Sequence, residues 1–140
     1  MSKGFNVKER IDRPPEEVWA YLTDFRNAKH WMTGIENLAP KGRGPLEIGT
    51  RLSFTARGKE RETRVTALEP GRQIALTSTQ GGVTATYSYA LAPDGDGTEV
   101  TLEAVCQATG AWRLLHPVIA LAMKHSDSSQ LANLKSAMSG

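Results

Sequence analysis

The chain has 140 residues, with 17 basic and 15 acidic side chains, a net charge of +2 and 39% hydrophobic residues. A chain of that size suits one domain over 1–140 with a real core, and its interspersed charges exclude a nucleic-acid-binding arm or a basic membrane-binding run. The lone Cys106 excludes an internal disulfide and a multi-cysteine zinc site.

Met1-Ser2-Lys3-Gly4 lacks an apolar secretory region, and a single cysteine fits a reducing compartment, so a cytoplasmic protein is expected. The apolar run Leu114 to Met123 is too short to span a bilayer and contains His116 and Pro117. No integral membrane association is expected, and the run reads as a core helix.

From the N-terminus, Phe5, Val7, Glu9 and Ile11 alternate with Asn6, Lys8 and Arg10, which is a strand with one odd carboxylate on its apolar face. Arg13-Pro14-Pro15 stops it. Pro15 suits the first turn of a helix, and Glu16 and Glu17 favour its positive end. Val18, Trp19, Leu22 and Phe25 then follow at helical spacing, and Asn27 to Met32 reads as a second short helix. Pro40 to Pro45 is a connection, because its glycines lack the spacing of a phosphate-binding loop and no Lys-Ser/Thr follows.

Leu52, Phe54 and Ala56 mark one face of the next strand, turned by Gly58-Lys59. Glu60 to Leu68 is another strand, ended by Glu69-Pro70-Gly71-Arg72, and Arg72 to Thr79 follows with Ile74 and Leu76 on one face. Arg57 to Arg64, a dense alternation of charges, reads as self-neutralising. Gly81-Gly82 is a hairpin turn. Ala85, Tyr87, Tyr89 and Leu91 share a face of the strand after it, and Pro93 to Gly97 turns into a last strand carrying Val100, Leu102, Ala104 and Cys106.

Thr109 to Met138 holds one long helix, preceded by Gly110, with Pro117 near its first turn or kinking it. It is apolar nearly all round in its first half, then amphipathic through Leu131, Leu134 and Met138. The order is a strand, two short helices, about six strands spaced by short turns, then this helix. It predicts an antiparallel meander curved around the helix.

Several local patterns resemble the START-like, helix-grip superfamily (SRPBCC), and among its branches the polyketide cyclase/dehydrase-like one. They are Ile11-Asp12-Arg13-Pro14-Pro15-Glu16-Glu17-Val18-Trp19, Asp24-Phe25-Arg26-Asn27 with Trp31, and Ile48-Gly49-Thr50-Arg51-Leu52. Glu69-Pro70, Gly97-Thr98-Glu99-Val100-Thr101, and Leu115-His116-Pro117 with Leu131-Ala132-Asn133-Leu134-Lys135 complete the set. The resemblance covers nearly the whole chain, and the tail Leu134 to Met138 departs mildly from the family's usual ending. It implies an α+β helix-grip fold: a seven-stranded antiparallel sheet around a long C-terminal helix, two short helices after the first strand, and a cavity between sheet and helix. The family includes lipid and hormone carriers, aromatic polyketide cyclases and coenzyme Q-binding proteins.

Candidate chemistry is sparse. If the face of the first strand lines the cavity, Glu9 would orient a ligand hydroxyl or act as a base; otherwise it is solvated at the mouth or pairs with a cation such as Arg64. Tyr87 and Tyr89 would hydrogen-bond and stack on a ligand, or simply pack in the core. His116 would serve as an acid or base only with a partner that the sequence does not supply. Trp31 and Met32, where the fold has its entrance, together with Phe54, Tyr87, Tyr89 and Ile119, are the expected ligand-binding residues. Trp19 and Trp112 read as core or rim aromatics, and His30 and His125 as solvated. One of Ser126, Ser128, Ser129, Gln130 and Asn133 either faces the cavity or this turn of the helix emerges into solvent. Cys106 reads as a buried structural thiol. The three scattered histidines make no metal site, and no cofactor is called for. No Gly-x-Ser-x-Gly elbow is present, which disfavours serine hydrolase chemistry.

Three functions are compatible with this pattern. The first is binding of a small hydrophobic or aromatic ligand such as a lipid, polyketide or isoprenoid-like molecule, by a monomer or homodimer. The second is a polyketide cyclase/aromatase or dehydratase acting in the same cavity, where holding a reactive conformer supplies much of the rate. The third is a protein-interaction module, for which an exposed apolar patch is the expected sign.

Overall fold

A computed structural model describes residues 2–32, 35–42, 46–56, 58–80, 82–108 and 130–138. Strand β1 (Ser2–Ile11) is followed by helix α1 (Pro15–Thr23), a single 3-10 turn at Phe25–Asn27 and the short helix α2 (Ala28–Trp31). Six strands come next: β2 (Glu36–Pro40), β3 (Arg51–Ala56), β4 (Lys59–Glu69), β5 (Gln73–Gln80), β6 (Val83–Asp94) and β7 (Gly97–Ala108). Helix α3 (Gln130–Met138) lies near the C-terminus.

All seven strands form one antiparallel sheet in the order β1-β7-β6-β5-β4-β3-β2. β2 to β7 run as a meander. β1 closes the other edge by pairing with β7, Val7 opposite Leu102 and Glu9 opposite Val100. The register shifts between Glu36 and Ala39 in β2 and between Val65 and Ala67 in β4. Such bulges bend and twist the strands that carry them, and so help the sheet to curve around α3. This is the expected helix-grip architecture.

Local chemistry explains the elements. Pro15 opens α1 with its missing N–H, Glu16 and Glu17 sit in its first turn, and Val18 and Leu22 bury one face. The chain leaves α1 at Asp24, whose backbone N–H donates to the Ala20 carbonyl. The Asp24 carboxylate then accepts from the Arg26 backbone N–H and caps the 3-10 turn. Glu69-Pro70-Gly71-Arg72 closes with Arg72 N–H donating to the Glu69 carbonyl at 2.9 Å. Gly71 takes φ +81° there, with proline before it, as a type II turn requires.

The inner face of the sheet carries the core. Ile11, Leu52, Val65, Ile74, Tyr89, Val100 and Leu102 are each at most 1% exposed, and Leu131 and Leu134 of α3 close over them. The predicted stripe of Leu131, Leu134 and Met138 is thus the packed face of α3, with Met138 at its half-buried end.

The structure also differs from the sequence reading at β2. β2 lies where no alternation is legible: Leu38 is its single buried residue, and Asn37 takes φ +57°. The charges of Lys59 to Arg64 divide between the two faces of β4. The pleat sends Glu60, Glu62 and Arg64 outward, and Arg61 and Thr63 inward opposite Phe54 and Leu52.

Candidate functional site

Three elements meet at Trp31. It is the last residue of α2, only 1% exposed, and its ring meets that of Tyr89 edge-on, with centroids 5.5 Å apart and planes at 86°. Tyr89 on β6 is equally buried, and its hydroxyl donates to Gln130 Oε1 at 2.6 Å. Gln130 lies on α3 and is 2% exposed. One turn along, Asn133 Nδ2 donates to the Trp31 carbonyl at 3.5 Å. Of the polar residues singled out from the sequence, Gln130 turns inward to β6 and Asn133 reaches α2.

The indole Nε1 of Trp31 is buried and has no hydrogen-bond partner among the described residues. An unsatisfied donor in a dry interior costs about 1–3 kcal/mol. A carbonyl, hydroxyl or water oxygen placed against it would remove that penalty.

Met32, next to Trp31, is 4% exposed within the core. Phe54 and Tyr87 are half-buried on the inner face, packed against the core cluster. Glu9 does lie on the inner face of β1, but its Oε1 accepts from Lys135 Nζ of α3 at 3.2 Å. Arg64, the cation offered by the sequence, stands on the outer face opposite Thr77, on the far side of the sheet. Trp19 is half-buried against the core and His30 is exposed. Cys106 is fully buried, and desolvation pushes its thiol above the ordinary value, so it is a poor nucleophile. His116, Ile119, Trp112, His125, Ser126, Ser128 and Ser129 lie outside the described residues.

Arg61 and Thr63 had no sequence signal as a pair, because the charges around them read as one block. Only the register with Leu52 and Phe54 places them inside. Among the described residues, no group of three or more His, Cys, Asp or Glu is placed to hold a metal ion. Nor is any helix among them long and apolar enough to cross a membrane. Ile48 is the one large hydrophobic exposed among the described residues, so they present no extended apolar patch.

This architecture has solved counterparts. An aromatase/cyclase from Streptomyces superposes with a TM-score of 0.77 at 13% identity, over 98% of this chain and 93% of that one. Norcoclaurine synthase from Thalictrum flavum does so with 0.71 at 15% identity, over 99% and 94%. A Thermus thermophilus protein reaches 0.73 at 21% identity, over 97% and 95%. At these identities the likeness is one of fold. No curated protein matches the sequence. The model of the family described as polyketide cyclase / dehydrase and lipid transport matches residues 4–139. With that match over nearly the whole length, and the helix-grip sheet beneath it, the chain belongs to the polyketide cyclase / dehydrase and lipid transport family.

Proposed function

We propose that this protein binds a small hydrophobic or aromatic molecule between the inner face of the sheet and the C-terminal helix, with one polar atom of the ligand accepting from Trp31 Nε1. The observation that carries the reading is that buried, unpartnered indole N–H. Half-buried Phe54 and Tyr87 on the same inner face offer aromatic contact area. Removing such a ligand's apolar surface from water is worth about 25 cal/mol per Å², and the single donor sets its orientation. Tyr89 spends its hydroxyl proton on Gln130, so it frames the site.

Native mass spectrometry of the protein purified from its own host tests the reading. The expected result is a co-purifying apolar molecule with at least one hydrogen-bond acceptor. A ligand-free mass, with no thermal shift across a library of lipids and aromatics, would overturn it.

A cyclase or dehydratase acting in the same interior is the second reading. Its specific support is that Tyr89 and Gln130, from different elements, converge beside Trp31. A bound molecule that returns with altered mass after incubation would select this reading over simple carriage.

A further inference from the structure

Strand β4 sorts its charges by face. Glu60, Glu62 and Arg64 point outward, where Glu62 receives Lys41 at 2.7 Å and Arg51 at 3.7 Å. Arg61 points the other way. It is half-buried, directly opposite Phe54, and no carboxylate pairs with it among the described residues. Two positions on, Thr63 is 6% exposed opposite the fully buried Leu52, and its hydroxyl makes no hydrogen bond among the described residues. Glu9, the inner-face acid on β1, is engaged by Lys135 and stands on the far edge strand from the β3–β4 pair.

A guanidinium on an apolar inner face keeps its donors in a fixed fork, and a hydroxyl on the same face of the same strand adds a further donor. A carboxylate matches that fork in shape and in charge, since one anion balances one cation. A phosphomonoester would bring a second negative charge with nothing to meet it.

We propose that Arg61 and Thr63 form an anion subsite on the inner face of β4, and that the ligand is an amphiphilic carboxylic acid whose apolar body lies along Phe54. The inference rests on the interior-binding reading above. It adds the ligand's chemical class and a specificity residue.

Isothermal titration of the whole protein with two matched pairs tests it: dodecanoic acid against dodecanol, and naphthoic acid against naphthalenemethanol. The expected result is tighter binding of the acid in at least one pair, by about tenfold, the ratio expected of one charge-assisted contact. Arg61→Met should abolish that preference while retaining alcohol binding, and Arg61→Lys should keep part of it. Circular dichroism and Tm of each variant control for folding. Alcohol binding without acid preference, or a preference that survives Arg61→Met, overturns the subsite and leaves interior binding standing. Binding of neither member of either pair by the wild-type protein counts against both.

Discussion

The Tyr89 hydroxyl donates to Gln130 Oε1 at 2.6 Å, and this bond joins the middle of the sheet to α3. Both side chains are at most 2% exposed. Tyr89→Phe removes a donor and Gln130→Leu removes its acceptor. Each single variant should lose about 1–3 kcal/mol, and the double variant should lose less than their sum. Urea unfolding of the four proteins measures the coupling, and strict additivity would show that the bond contributes nothing.

Trp31→Phe keeps an aromatic ring beside Tyr89 but deletes the unpartnered donor. Affinity for a carbonyl-bearing ligand should fall about tenfold. Affinity for a purely hydrocarbon probe of the same size should change much less. Titration of both probes checks this, and an equal loss for the two would mean that the ring's volume matters and its N–H does not.

Glu9 and Lys135 tie β1 to α3 with side chains that are 30% and 47% exposed. Such a pair is worth about 0.2–1 kcal/mol and is screened by salt. Glu9→Gln should lower stability by no more than that in dilute buffer, with the gap closing in molar salt. A loss that high salt does not reduce would assign Glu9 a role other than this tether.

The hydrogen bond from Lys41, helped by the nearby Lys41 and Arg51 charges, holds the Glu62 carboxyl below the ordinary glutamate range. A lowered folded-state value means that the unfolded chain takes up the proton first as pH falls. The stabilisation is therefore present above the ordinary glutamate range and is lost as pH falls through the folded value. Glu62→Gln should flatten that part of the acid limb, and wild type and variant should converge at the acid end. Tm measured across acidic buffers checks it; a gap that widens toward low pH would reverse the sign.

Gly97 begins β7 where the chain leaves the hairpin from β6. A Cβ there would sit 2.6 Å from the Ile11 carbonyl oxygen and 2.9 Å from the Arg10 guanidinium. The guanidinium can swing away, but the backbone carbonyl of a paired strand cannot. Gly97→Ala should therefore cost about 1–3 kcal/mol and loosen the β1–β7 edge. Hydrogen exchange at the β1 amides and urea unfolding read both effects.

Where the sheet alternates cleanly, the sequence was readable. Phe5 to Ile11, Ala85 to Leu91 and Val100 to Cys106 each put one apolar side on the core, and Leu131, Leu134 and Met138 marked the packed side of α3. β2 was not readable, since five residues with one buried leucine carry no period. Of the residues singled out for ligand contact, Phe54, Tyr87 and Tyr89 lie on the inner face, because aromatic types at those strand positions seek it. Trp31 and Met32 are buried at the end of α2, and Ile119 lies outside the described residues. The partners were hidden. Lys135 for Glu9 lies 126 residues away in sequence, and Gln130 for Tyr89 lies 41 away. Pairings across such distances depend on topology, which a local period cannot carry.

The pairing of β1 with β7 has a consequence during synthesis. Ser2 faces Gln107 and Ile11 faces Thr98, so β1, made before the other six strands of the sheet, has its neighbour in the seventh. At roughly 5–20 residues per second, a growing chain leaves β1 without its partner for on the order of ten seconds. Throughout that interval Phe5, Val7 and Ile11 have no sheet to enter, and the meander from β2 to β6 can assemble first. The β1 segment is therefore where a holdase would be expected to touch the nascent protein, and where crowded ribosomes would first show strand exchange between neighbouring chains.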